Sequence, residues 1–191
     1  LSSDQLSGLT TAQIGGLSSA QLGAISTATL SSISSSIIAA LTTAQVKGLS
    51  ASQVSNLTTA QLNALKTSQV GALTTAQLVG ISAGNLATLN TSDIAALSST
   101  QIAGLSTTQV AGLTTTQLAT LTTMEVKSLS AGQLGAIGTD KISALSVGDI
   151  AALSTAQLAS LPALKISSLT LAAESGLTTA QVAALSTAQV A

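Results

Sequence analysis

The only nucleophiles this sequence offers in number are serine and threonine hydroxyls. A hydroxyl needs a neighbouring base before it can attack anything. The chain has no His and no Cys, so lysine is the one common base left. The five lysines (Lys47, Lys66, Lys127, Lys141 and Lys165) are scattered along the chain. A Ser–Lys pair would have to be built by the fold, and the sequence gives no sign of one. The hydroxyls read instead as helix caps and solvated surface.

Metal chemistry fares no better, because metal sites need clustered His, Cys or carboxylates. The acids are Asp4, Asp93, Glu125, Asp140, Asp149 and Glu174, spread over the length. Asp140 beside Lys141 reads as a surface ion pair. No EF-hand loop, calcium nonapeptide or glycine-rich phosphate loop is present. The expectation is no catalytic, cofactor-binding or metal-binding residue, no cofactor, and no enzyme activity. Asn56-Leu57-Thr58 and Asn90-Thr91-Ser92 match the glycosylation sequon, which arises easily by chance in a chain this rich in Ser and Thr.

The elements that would carry these residues are unusual. The 191 residues include no aromatic side chain, one Pro and one Met, and the net charge is −1. Without aromatics the core must be narrow and filled by Leu, Ile, Val and Ala. Five lysines and no Arg exclude a basic nucleic-acid surface. Apolar runs such as 37–41 fall far short of a bilayer span. No pattern resembling a signal peptide opens the sequence. Because it starts at Leu1 rather than Met, a processed product or a segment of something longer is expected.

The whole chain is one repeat. An eight-residue frame starting at Leu1 runs through 23 full octads and a seven-residue remainder without a gap. Position one is Leu or Ile in all 24 units, and position six is Leu, Ile or Val in all but the unit holding Glu174. Position two is Ser or Thr except at Lys66, Asn90, Gly138 and Pro162. Position five is Gln in 15 units and Glu in one, at Glu125. Position eight is always small or short. Residues 1–191 therefore read as a single continuous array with no linker.

One long helix cannot hold this pattern, since eight residues advance an ideal helix by roughly 800° and the apolar stripe would precess. A β-solenoid is the rival reading, but positions one and six would fall on opposite faces of a regular strand. A helix start explains more. Ser or Thr at position two with Gln three residues later is the capping box, and the apolar residues before the cap and four after it are the hydrophobic staple. Asp93, Glu125 and Asp149 stand in the Gln slot and read as variants or near variants of the box.

Each octad thus predicts a helix of about one and a half turns over positions three to eight, then a corner where small residues, Gly above all, let the chain turn. The predicted fold is an all-α solenoid of very short capped helices. Two octads per coil is the first expectation and three the second. Ordering eight residues costs about 12 kcal/mol. Burial returns about 8–10 kcal/mol and capping about 1, so a unit holds only within a stacked array. Residues 25–40, with Thr29 and Ile37 in the Gln slot, and 161–176, with Pro162, Lys165 and Glu174, depart furthest from the pattern. These read as drift; Glu174, expected in the core, alternatively meets a Lys of another subunit.

Phrases such as "LTTAQVKGL" (41–49) and "LTTAQLNAL" (57–65) resemble the Leu-Thr-Thr-Ala-Gln-Val-type octapeptide repeats of large bacterial secreted or cell-surface proteins, adhesin-like or fibrous. The resemblance implies an extracellular or cell-surface location and carries over no catalytic residue. A nearly uncharged surface repeated at fixed spacing favours self-association, lateral or end-to-end, into filaments or layers. The expected function is a structural protein self-assembling into an extracellular filament, fibre or surface layer. The alternative is the stalk of an adhesin, or a Thr-bearing face that binds ice or polysaccharide. Expected partners are other copies of the chain and surface glycans, with no nucleic acid and no membrane span.

Overall fold

A computed structural model describes residues 2–190. Among them every octad carries one short helical element: 23 α-helices and a single 3₁₀ turn at Ile142–Ala144. No strand occurs among the described residues, which removes the β-solenoid reading.

The helices begin at position three, as in Thr43–Gly48, Ala51–Ser55 and Thr59–Asn63, and run four to six residues. The residue at position two stays extended, with φ −76° and ψ 160° at Thr42 and φ −71° and ψ 157° at Ser50. Its hydroxyl accepts from the backbone N–H of the Gln three residues on, while the Gln carbonyl accepts the cap's own N–H. This reciprocal pair nucleates a helix too short to form unaided in water.

The corner is an ordinary tight turn. The N–H of nearly every position-one residue donates to the carbonyl at position six of the octad before, as in Leu49 to Val46 and Leu57 to Val54, both at 3.2 Å. No described residue has a positive φ, glycines included. The corner therefore does not use glycine's conformational freedom, contrary to the expectation. Several glycines serve close approach instead. A Cβ on Gly48 would lie 2.3 Å from Ser19 Cβ, and one on Gly176 would lie 2.4 Å from Val147 Cγ1.

The chain divides into two compact units, Leu1–Leu97 and Ser98–Ala191. In the first, Ser19–Gly23 packs on Thr43–Gly48 and Ala51–Ser55 on Thr75–Gly80. In the second, Ser99–Ala103 packs on Thr123–Ser128 and Thr107–Gly112 on Ala131–Ala136. Within each unit a helix stacks on the one three octads away, so a coil holds three octads. The first expectation of two per coil gives way to the second. Both position one and position six must be enclosed. Three helices surround a column of Leu, Ile and Val, whereas two would leave it open along a side.

That column is dry. Val46, Val54, Leu78, Leu86 and Ile94 in the first unit, and Val110, Val126, Leu134 and Ile150 in the second, are fully buried. Glu174, expected in the core, is exposed, and Ala173 beside it is buried instead. Val182 and Val190, at position six of the last two octads, are 50% and 64% exposed.

Candidate functional site

The residues singled out for chemistry do not assemble into a reaction centre. Among the described residues no three acids converge, and no helix is long and apolar enough to cross a membrane. Lys47, Lys66 and Lys127 are exposed. Asn56 turns its side-chain amide onto the Ser52 carbonyl at 2.8 Å, and Asn90 caps the helix Thr91–Ala95.

What the octads build instead is a ladder made by the position-five glutamines. Gln45 accepts the Thr42 N–H through Oε1 at 2.7 Å, which is the return bond of its own cap. Its Nε2 then donates to the carbonyls of Ile14 at 2.8 Å and Leu17 at 2.7 Å, in the preceding coil. Gln53 repeats this on Leu22 and Ile25, Gln61 on Leu30 and Ile33, and Gln77 on Val46 and Leu49. In the second unit Gln133 donates to Leu105, Gln157 to Leu129, Gln181 to Ile150 and Leu153, and Gln189 to Leu158 and Leu161. The acceptors hold one register, at position six of an octad in the coil before and at the position one that follows it.

These carbonyls close the helix and corner of the earlier octad: the position-six carbonyl also accepts the corner N–H, while the position-one carbonyl lies beyond the helix's own donors. One primary amide therefore caps the N-terminus of its own helix and the C-terminal end of another. Only an amide does both, because its oxygen accepts and its nitrogen donates two protons. Most of these glutamines are buried, Gln69 to 1% exposure and Gln77 to 2%. In the first coil Gln5, Gln13 and Gln21 make only the local box bonds and are exposed.

Departures from Gln obey the same logic. Lys141 takes the slot and sends Nζ to the carbonyls of Ala111 at 2.9 Å and Leu113 at 3.0 Å. The surface pair expected with Asp140 is therefore not made: the ammonium turns inward to replace the missing amide. Lys165 does likewise, donating to the Ile137 carbonyl. Burial pushes its ammonium below the ordinary lysine pKa. Lysine supplies the donor but not the return acceptor. At Pro162, the cap of that octad, no N–H exists to need one.

The acidic substitutes keep the acceptor and lose the donor. Glu125 accepts the Thr122 N–H at 2.7 Å. Asp149 accepts the N–H and hydroxyl of Ser146 at 2.9 and 2.7 Å, and the Thr123 hydroxyl at 2.9 Å. Both are boxes, as expected. Asp93 is the near variant: its cap Asn90 accepts the Asp93 N–H, and no return bond is made. The donor half of the ladder escaped the sequence reading. Its signal was the preference for Gln over Glu at position five, with two lysines in the same slot.

Residues 86–123 match the ALTTAQ repeat family. Those six letters stand as they are at 72–77, where Ala72 ends a corner, Leu73 enters the core, Thr74 caps and Gln77 carries the ladder. Comparison with curated proteins finds no match. The chain is thus similar, over residues 86–123, to a repeat family whose name spells the corner, core, cap and ladder residues found at 72–77.

Proposed function

We propose that this chain is a structural protein that self-assembles into a filament, fibre or layer outside the cell or on its surface. The observation that carries the reading is the ladder. Each coil offers the next one the same carbonyls in the same register, and nothing in the repeat brings the series to a stop. A following coil, from further repeats or from a second copy, would be held by the same bonds.

Lateral association is favoured by the same uniformity. The surface is rich in Ser, Thr and Ala and carries few charges to keep copies apart. In the second unit Met124, Val147 and Leu171 lie at matching octads of successive coils and are exposed. A contact made by one coil is available to the next, which favours open arrays over closed rings.

Negative-stain electron microscopy and sedimentation of the purified chain over a concentration series test this. Fibres or sheets of constant width, growing with concentration, are expected. Dispersed monomers at every concentration would overturn it and favour the stalk or binding-module alternative.

A further inference from the structure

We propose that the layer joining residues 81–96 to the coil before them is a built-in point of opening in the array. From the octad at 33 onward, position five is Gln or Lys except at Ile37, Asn85, Asp93, Glu125, Asp149 and Ala173. Of these only Asn85 and Asp93 stand in neighbouring octads. Two successive rungs therefore lack the ladder's long donor. Their helices, Ala83–Thr88 and Thr91–Ala95, stack on Thr59–Asn63 and Thr67–Val70 of the coil before.

Asn85 is one methylene shorter than glutamine and takes a different partner. Its Oδ1 accepts the Thr59 hydroxyl at 3.0 Å, and it makes no return bond to the Ser82 N–H. Asp93 has no donor to offer. Its Oδ1 accepts the Thr67 hydroxyl at 2.8 Å, while its Oδ2, in a residue 1% exposed, has no hydrogen-bond partner. The loss is matched on the acceptor side. In a laddered layer the position-one carbonyl accepts an amide, as Leu49 does from Gln77 at 2.6 Å. In the same register the carbonyls of Leu57 and Leu65 accept no hydrogen bond from any described residue.

Each omission weakens the layer, because a buried polar group without a partner has given up water for nothing. What remains across it is apolar packing and hydroxyl bonds, from Thr59 and Thr67 forward and from Thr88 back to Asn63. Helices of five and six residues do not hold in water once such a layer parts. Parting therefore melts residues 81–96 while the laddered octads of the coils before stay folded, a sub-global opening of the kind repeat arrays allow. In a filament, on the reading proposed above, bending or tension is relieved here first.

Hydrogen–deuterium exchange read by mass spectrometry tests this on the full chain, with peptides from 41–56 as the reference. Their position-five residues, Gln45 and Gln53, both serve the coil before. Wild-type amides of 81–96 should exchange at least about tenfold faster than those of 41–56. Asn85→Gln and Asp93→Gln each restore a donor of the right length. Each should slow exchange at 81–96 about threefold or more, and the two together at least about tenfold, with 41–56 unchanged. Wild-type rates at 81–96 equal to or below those at 41–56 would overturn the proposal. So would a double variant that slows neither segment, or slows both alike, since the opening would then be global. The exchange is read on dispersed chains, so its outcome is separate from that of the filament test.

Discussion

Exchanging one ladder glutamine for glutamate, Gln77→Glu, isolates the donor half of the ladder. The two side chains match in shape, and glutamate is as good a capping-box residue as glutamine. The return bond to the Thr74 N–H at 2.7 Å is therefore kept. What is lost are the bonds from Nε2 to the Val46 and Leu49 carbonyls, at 2.8 and 2.6 Å. The Val46 carbonyl keeps the Leu49 N–H as a donor, so the main loss is at the Leu49 carbonyl, and a buried carbonyl left without a donor costs about 1–3 kcal/mol. A charged oxygen in a slot 2% exposed adds to that, and about 2–4 kcal/mol in all is expected at neutral pH. In urea unfolding followed at 222 nm this lowers the midpoint by about 1–2 M. Burial holds the new carboxyl's pKa above its unfolded value. The folded state then binds the proton more tightly, so the deficit is largest well above that raised pKa and shrinks as the pH falls through it toward about 4. Gln13→Glu is the control, because Gln13 makes the same local bonds at the surface and reaches no earlier coil. It should shift stability by less than about 0.5 kcal/mol. Equal effects at the two sites, or a loss below about 1 kcal/mol at Gln77, would refute the ladder.

Three further outcomes follow from the same contacts. Gly48→Ala should cost about 1–3 kcal/mol, because its Cβ would meet Ser19 Cβ at 2.3 Å, while Gly84→Ala, with open space around it, should gain about 0.5–1 kcal/mol; chemical denaturation of the two variants compares them. Burial lowers the Lys165 pKa, so the folded state releases that proton first, and stability should rise with pH between the lowered pKa and the ordinary 10.5. Denaturation across that window should show a rise that Lys165→Met lacks. Pro162→Ser and Lys165→Gln should each give little alone, since one creates an N–H without an acceptor and the other an acceptor without an N–H. Together they rebuild a complete rung, and a double-mutant cycle should report about 1 kcal/mol of favourable coupling.

The local device was legible because it is written at four positions in most octads. The Leu, the hydroxyl, the Gln and the second aliphatic residue at fixed offsets admit one common explanation, and the helices start where that explanation puts them. The coil was less legible. Periodicity says that positions one and six face inward, but not how many helices must share the space they face. The ladder was missed because the capping box accepts Gln and Glu alike, so Gln satisfied the local account and prompted no further question. The slot holds one Glu against 15 Gln, and Lys141 and Lys165 cannot act as acceptors at all. Both facts call for a donor. Asp140 beside Lys141 misled for a related reason: adjacency suggested a pair, while the octad register assigned the lysine to the ladder.

The ladder also explains why such short helices are tolerable. An α-helix leaves four N–H groups unserved at its start and four carbonyls at its end. In helices as short as Ala51–Ser55, nearly every backbone group is a terminal group. Capping one end locally leaves the other end's carbonyls facing a stacked neighbour, where water cannot reach them. A side chain that serves its own N-terminus and a carbonyl of the coil before meets both needs, and lysine or a satisfied aspartate can stand in only by giving up one half. The same bond then selects the coil. Gln45 reaches the Ile14 and Leu17 carbonyls only if three octads make one circuit, so two octads per coil would strand each amide from its carbonyls. The capping requirement of a very short helix and the size of the coil are thus set by one residue, the glutamine at position five.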